Sequence, residues 1–152
     1  MFDLYNLILF LILLALGYSA GTISEKNHYR SILKRERDHL SLPAITLKHV
    51  DLPPEKIQSA QLVCGSAVIS IDYFKRIMAA LRNIFGGTIT AYETLLDRAR
   101  REAILRMKET AGDAAMIVNV RIETSTIGRK ARKSSVGCLE AIAYGTAISI
   151  KQ

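Results

Sequence analysis

The chain has too few cysteines and histidines to build a disulfide-stapled fold or a metal cage on its own. Its 152 residues include two cysteines, Cys64 and Cys138, and three histidines, with no CxxC pair. Two separate thiols form no disulfide framework, and a closed tetrahedral metal site needs four ligands. The fold must therefore rest on a packed core, for which the chain is long enough.

Motifs of common enzymes are also absent. The sequence contains no nucleophile elbow, P-loop, HExxH pair or GxGxxG fingerprint. Glu93 and Asp97 share a predicted helix face, but the neighbouring Arg98 and Arg101 favour a surface ion-pair network over a pair of catalytic acids. We therefore expect no enzymatic activity, and an enzyme with its site between subunits is the alternative.

Charged side chains are missing from the first part of the chain. Between Leu4 and Ser24 there is none, and most residues are Leu, Ile, Phe or Ala. About 20 such residues, each rising ~1.5 Å in a helix, span the ~30 Å hydrocarbon core of a bilayer. We predict a transmembrane anchor at residues 1–24. A cleaved secretory signal is the alternative, but it needs a basic n-region, where this chain has only Asp3.

Five cations follow the apolar stretch closely, namely Lys26, Arg30, Lys34, Arg35 and Arg37. No lysine or arginine precedes it. Positive residues stay on the cytoplasmic side of an inner membrane. We therefore expect a single-pass inner-membrane protein with its N-terminus outside and its folded domain in the cytoplasm. Residues 25–43 are predicted to form a basic helical stalk and linker, whose cations either contact anionic lipid headgroups or only set the topology.

Residues 44–152 have the pattern of one α+β domain. Strands are predicted at residues 45–50 and 60–69. A first helix is predicted from apolar residues that recur at helical spacing, namely Phe74, Ile77, Met78, Leu81, Ile84 and Phe85. Gly86 and Gly87 then permit the positive φ angles of a chain reversal.

A second helix is predicted to begin at the capping box of Thr90 and Glu93 and to end at Gly112. Its apolar stripe consists of Tyr92, Leu96, Ala99, Ala103 and Met107. Its solvent-facing side is expected to carry two i,i+4 ion pairs, Asp97–Arg101 and Glu102–Arg106.

Two more strands follow. From residue 116 the apolar period switches to two, which predicts one buried face made of Met116, Val118, Val120 and Ile122. The last strand, at residues 139–150, has a face of small residues, Ala141, Ala143, Gly145, Ala147 and Ser149. Small side chains permit close packing, either by a helix of the same domain or by a neighbouring subunit.

Several of these stretches resemble the YbjQ family, in the same order along the chain. They are GG at 86–87 with Tyr92 and Glu93 downstream, ARREA at 99–103, GDAA at 112–115, VRIETS at 120–125 and AYGTA at 143–147. The resemblance covers about residues 47–151 and implies a small two-layer α+β domain, an antiparallel sheet with two packed helices, similar to a dodecin subunit. It also implies a ring-shaped homo-oligomer, with a pentamer favoured, and a heavy-metal-binding description without a reaction.

The first candidate site is a metal site. Cys64 lies in a predicted strand beside Gly65, and His49 lies in the strand before it. A thiolate and an imidazole suit a soft or borderline metal ion, and a ring could supply further ligands by symmetry. The alternative is that Cys64 is a small hydrophobic residue of the core.

Two other segments are candidates for binding anions. Gly86 and Gly87 precede a helix N-terminus, with Tyr92 in its first turn, and free amides there attract anions, although the turn alone explains both glycines. The predicted hairpin tip at residues 128–133 carries four cations, Arg129, Lys130, Arg132 and Lys133. It either contacts lipid phosphate or is a solvated loop. Nucleic acid is not expected, since no aromatic residue interleaves with the cations.

From the sequence we therefore expect a membrane-anchored, homo-oligomeric cytoplasmic scaffold or binding protein. A heavy-metal or thiol-based sensor is the alternative. The net charge of +7 favours contact with anionic surfaces, including lipid headgroups.

Overall fold

A computed structural model describes residues 4–70, 90–127 and 138–151. In these residues it has two α-helices, α1 (Leu4–Asp38) and α2 (Thr90–Glu109), and three strands, β1 (Ile57–Ser70), β2 (Met116–Ile127) and β3 (Cys138–Ile150). A short 3₁₀ turn, Pro54–Lys56, leads into β1. The predicted helix at residues 74–85 and the predicted hairpin tip at residues 128–133 lie outside the described residues.

The sheet has the strand order β1-β3-β2, and both neighbouring pairs are antiparallel, which confirms the predicted α+β class. The strand predicted at residues 45–50 does not form as such. Instead, residues 43–47 run parallel to β2 in a single bridge, with hydrogen bonds from Ile45 N to Ile117 O at 2.9 Å and from Asn119 N to Leu47 O at 2.8 Å. This segment covers part of the outer edge of β2.

Helix α2 packs on one face of the sheet because small residues line that face. Ala141, Ala143 and Ala147 of β3 are at most 1% exposed. Gly65 of β1, paired with Ala143, touches the helix backbone so closely that a Cβ there would lie 2.2 Å from Met107 N. The small-residue face is therefore packed by a helix of the same domain, which was the first of the two alternatives.

The prediction that Met116, Val118, Val120 and Ile122 share one buried face was wrong. The register of β2 against β3 shifts between Val118 and Arg121, and Asn119 adopts a φ of 51° there. This bulge places Ile117 and Val120 together in the core and leaves Ile122 38% exposed. An extra residue in a strand turns all the residues after it to the opposite face of the sheet. The alternation of apolar residues in the sequence does not reveal where such an extra residue lies.

Helix α1 joins the predicted anchor and the predicted stalk in one continuous helix. By length and composition it can cross a bilayer. Its apolar part is not buried against the rest of the protein, unlike the core helix of a soluble protein. Its second half packs along α2, where Ile32 is fully buried.

The side of α2 that faces away from the sheet is only partly exposed to solvent, whereas the sequence predicted a solvent-facing side. Both predicted ion pairs are present, Arg101 to Asp97 at 3.7 Å and Arg106 to Glu102 at 3.0 Å. However, Glu102 is only 4% exposed and Leu105 only 2%. The second half of α1 lies over them, so the sheet, α2 and α1 form three successive layers.

Candidate functional site: the stalk interface and the outer sheet face

A cluster of charged side chains lies between α1 and α2, and we call it the stalk interface. Its α1 members recur every three or four residues and so share one helix face. They are Glu25, His28, Tyr29, Ile32, Arg35 and Glu36. The α2 members are Asp97, Arg98, Arg101, Glu102, Leu105 and Glu109.

Glu102 is at the centre of the stalk interface. Its carboxylate accepts hydrogen bonds from Arg35 Nη2 and from Arg106 Nε, and His28 Nε2 lies 3.5 Å away. Burial opposes ionisation of Glu102, but the hydrogen bonds from the two guanidinium groups outweigh it and lower the pKa of this carboxyl. Arg35 also donates to Glu109 at 3.1 Å, so it joins two acids of α2 to α1.

A second group of contacts surrounds Arg101. Its guanidinium binds Glu36 with two hydrogen bonds, one of 2.7 Å from Nε, and these lower the pKa of Glu36. The guanidinium also lies 5.7 Å from the centre of the Tyr29 ring, within the range of a cation–π contact. The Tyr29 hydroxyl donates to Asp97 at 3.1 Å, and burial together with this bond raises the pKa of Tyr29.

The stalk interface was missed at the sequence level, although a signal was present. Tyr29 and Ile32 interrupt the charged stalk at helical spacing, as residues of a packed face would. The acids and bases of the interface pair with one another, so we assign them to docking and to no catalysis.

The face of the sheet that points away from α2 is partly apolar, and we call it the outer sheet face. Four large apolar side chains on it are between 36% and 76% exposed: Leu62, Val68, Ile142 and Tyr144. On β2, one cation and one anion lie beside them, Arg121 paired with Tyr144 and Glu123 paired with Ile142. Large apolar side chains that stay exposed together on one face of a sheet are typical of an interaction surface.

The predicted metal ligands do not come together within one chain. Cys64 is exposed on β1, at one edge of the sheet, whereas the residues preceding His49 run outside β2, at the other edge. Three strand spacings of ~4.8 Å place these backbones about 14 Å apart. Within residues 4–70, 90–127 and 138–151, no group of three or more His, Cys, Asp or Glu side chains could hold a metal ion. The described residues of a single chain thus do not fit a closed metal site.

The remaining predicted site residues have less structural context. Six of them lie outside the described residues, namely Gly86, Gly87, Arg129, Lys130, Arg132 and Lys133. Tyr92 lies in the first turn of α2.

An open cleft of about 740 Å³ lies where α2 ends, between the start of β1 and the end of β3. It holds one carboxylate, Asp113, and one ammonium, Lys151, an arrangement to which we assign no reaction.

The fold and these surfaces define a class of protein, a small α+β domain joined to a long apolar helix. The chain belongs to the YbjQ family, since the family model described as "Putative heavy-metal-binding" matches residues 45–151. The resemblance inferred from the motifs is thereby confirmed.

Relatives with curated sequences cover the same domain. A UPF0145 protein of Hahella chejuensis is 43% identical over 89 residues, which are 57% of this chain and 79% of the relative. A UPF0145 protein of Natronomonas pharaonis is 37% identical over 99 residues, covering 64% of this chain and 88% of the relative. One solved structure, a DUF74 family protein of unknown function from Pediococcus pentosaceus, is similar with a TM-score of 0.46 at 15% identity, covering 72% of this chain and 98% of that one. These names state no reaction.

Proposed function

We propose that the protein is a membrane-anchored, homo-oligomeric scaffold or binding protein whose domain lies on the cytoplasmic side of the inner membrane. The observation that carries the proposal is the outer sheet face, where four large apolar side chains stay exposed on one side of the sheet. Exposed apolar area of this kind is stabilised by a partner.

The anchor is supported by the first half of α1. An exposed apolar stretch of this length would be unfavourable in water, whereas a bilayer solvates it and the helix satisfies its own backbone hydrogen bonds. The cations that follow it favour the cytoplasmic side for the domain.

A second copy of the chain is the partner that the outer sheet face suits best. Arg121 and Glu123 lie at the β2 border of this face, so a neighbouring subunit can pack on its apolar part and pair with both charges through a different surface, as a ring requires. The outer edge of β1 is less suited, because Arg106 already donates to Ser66 O at 2.8 Å. The family resemblance favours five subunits in a ring.

Native mass spectrometry of the full-length protein, extracted gently from its membrane, tests assembly. We expect an oligomer, and Leu62→Glu should shift it to monomers because a charge would be buried in the interface. Gln58→Glu, which adds the same charge near the polar start of β1, is the matched control and should leave the oligomer intact. A monomeric wild-type protein, or an oligomer unaffected by Leu62→Glu, would contradict this assembly.

The second candidate function is metal or thiol sensing, favoured by the exposure of the Cys64 thiol. Since one chain offers no closed site in its described part, a metal ion would need Cys64 from several subunits. The same mass spectra record bound metal. Loss of stoichiometric metal in Cys64→Ser would favour sensing, and a metal-free wild-type oligomer would remove it.

A further inference from the structure

Helix α2 ends before it has covered the whole of β1. The carbonyl of Ser66 accepts a hydrogen bond from Arg106, and the carbonyl of Cys64 accepts one from Thr110, which directly follows the last residue of the helix. Earlier residues of β1 thus meet later residues of α2. The first residues of β1, before Cys64, therefore extend past the end of the helix.

The face of the sheet that α2 covers becomes polar at this point. Under the helix the face is apolar, and Ala147 of β3 is 1% exposed. Ser149 follows on the same face, because side chains of a strand alternate between its two faces. On β1, Ser59 pairs with Ser149 and Gln61 pairs with Ala147. Since the Cβ atoms of paired residues lie about 5 Å apart, three polar side chains stand together beyond the helix.

The turn after α2 forms the opposite wall of the open cleft described above. Residues Ala111–Asp113 line the cleft, whose volume is about 740 Å³. A Cβ at Gly112 would meet nothing within 4 Å, so the space beside the turn is open. The end of the turn is tied to the sheet, because Ala115 N donates to Ile148 O at 2.8 Å. Sites for small ligands have volumes of about 300–1,000 Å³, so the cleft has a suitable size.

Two opposite charges line the cleft from different walls. The carboxylate of Asp113 belongs to the turn, and carbonyl groups at the C-terminal end of α2 add partial negative charge on that side. The ammonium of Lys151 belongs to the sheet, where its backbone N–H donates to Lys56 O at 2.9 Å. Within the described ranges neither charge has an ion-pair partner. Both are therefore available to a ligand.

This pair of charges narrows the class of ligand. The Lys151 ammonium would repel a metal ion, and the Asp113 carboxylate would repel a phosphate dianion. A molecule that carries one ammonium and one carboxylate can pair with both charges. Aromatic ligands gain no stacking, since none of the described residues that line the cleft is aromatic.

We propose that the cleft binds a small zwitterion of the free amino acid class, with its ammonium toward Asp113 and its carboxylate toward Lys151. The hydroxyl and amide groups of Ser59, Gln61 and Ser149 supply hydrogen bonds to the rest of the ligand. The inference does not depend on the anchor or on assembly, because the polar row lies on the opposite side of the sheet from the outer sheet face.

The cleft is also far from the apolar half of α1. Residue numbers rise together along the stalk interface: Glu25 meets Arg98 at one end, and the carbonyl of His39 accepts a hydrogen bond from Lys108 at the other. The two helices therefore run parallel, and the C-terminal end of α2 points away from the apolar half. In the anchored protein proposed above, the cleft opens toward the cytoplasm, where small solutes reach it.

Saturation-transfer difference NMR tests binding to the full-length protein in nanodiscs, with empty discs as the background. The probes are free L-amino acids, added one at a time. The strongest binder is compared with its N-acetyl derivative, which lacks the ammonium, and its carboxamide, which lacks the carboxylate. We expect saturable transfer for at least one amino acid. Each derivative should bind about tenfold more weakly or less, the effect of one lost hydrogen bond to a charged group.

Substitutions locate the binding site. Asp113→Asn and Lys151→Gln remove exposed charges, and each should weaken binding by about tenfold or more with an unchanged circular dichroism spectrum. The matched controls Asp51→Asn and Lys48→Gln remove the same charges at exposed positions that do not line the cleft, and should leave the affinity unchanged. The proposal is overturned if no amino acid gives saturable transfer, if a blocked derivative binds as well as the free amino acid, or if the cleft variants bind like the controls.

Discussion

Replacing Arg35 by alanine should weaken the docking of α1 on α2, because Arg35 neutralises a carboxylate that is almost fully enclosed. Glu102 is 4% exposed, and Arg35 joins it and Glu109 to the stalk. Removing one partner of a buried ion pair costs about 3–5 kcal/mol. Here Arg106 still binds Glu102 and the Arg35 side chain is 27% exposed, so we expect a loss nearer about 2 kcal/mol.

Urea unfolding of the full-length protein in mild detergent measures this loss. Circular dichroism is the suitable probe, since the chain has no tryptophan. Arg37→Ala is the matched control: this exposed cation lies on the same helix, and its removal should change the free energy of unfolding by less than about 0.5 kcal/mol. A double-mutant cycle with Glu102→Gln should give a coupling energy of about 1–3 kcal/mol.

Amide hydrogen exchange shows where the change occurs. In Arg35→Ala, residues 25–38 should exchange faster while the β-sheet stays protected, because local release of α1 does not require the sheet to open. If Arg35→Ala behaves like Arg37→Ala, or if the coupling with Glu102 is close to zero, then α1 does not dock through this pair and the reasoning is refuted.

Three further predictions concern the core, the bulge and acid. Gly65→Ala should destabilise the domain by about 3 kcal/mol or more in urea unfolding, because its Cβ would overlap the α2 backbone. Gly112→Ala is the control and should cost only about 1 kcal/mol, because a Cβ there meets open space and only the φ of 55° is unfavourable. Asn119→Gly should be nearly neutral and Asn119→Val should cost about 1–2 kcal/mol by thermal unfolding, since φ is 51° there; equal costs would contradict the bulge. The lowered pKa values of Glu36 and Glu102 stabilise the folded state at pH values above the ordinary glutamate pKa of 4.5. The urea midpoint should therefore fall as the pH drops below 4.5. It should fall less steeply when both residues are replaced by Gln.

Local chemistry made several parts of the fold predictable from the sequence. The capping box at Thr90 marked the start of α2, and the period of two marked β3, because both signals act over only a few residues. The apolar stretch after Leu4 likewise predicted a helix long and apolar enough to cross a bilayer, and α1 is such a helix by length and composition. The alternation of β3 separated its small residues from its large ones, but it did not show that the small face would be the buried one.

Features that depend on partners distant in the chain were not predictable in this way. The bulge at Asn119 changes which residues of β2 face the core, and nothing in a run of apolar residues marks an extra residue. The charged side of α2 looked solvent-facing because its acids and bases could pair along their own helix. Only the position of α1 shows that Glu102 pairs with Arg35, which lies 67 residues earlier.

By itself, the sequence determined the α+β class, the family and the apolar helix, since these follow from periodicity, capping residues and motifs that are local or independent of conformation. The tertiary structure decided the docking of α1 on α2 and the separation of Cys64 from the segment that holds His49. Those properties depend on how helices and strands pack against one another, and packing joins residues whose distance along the chain carries no information about their distance in space.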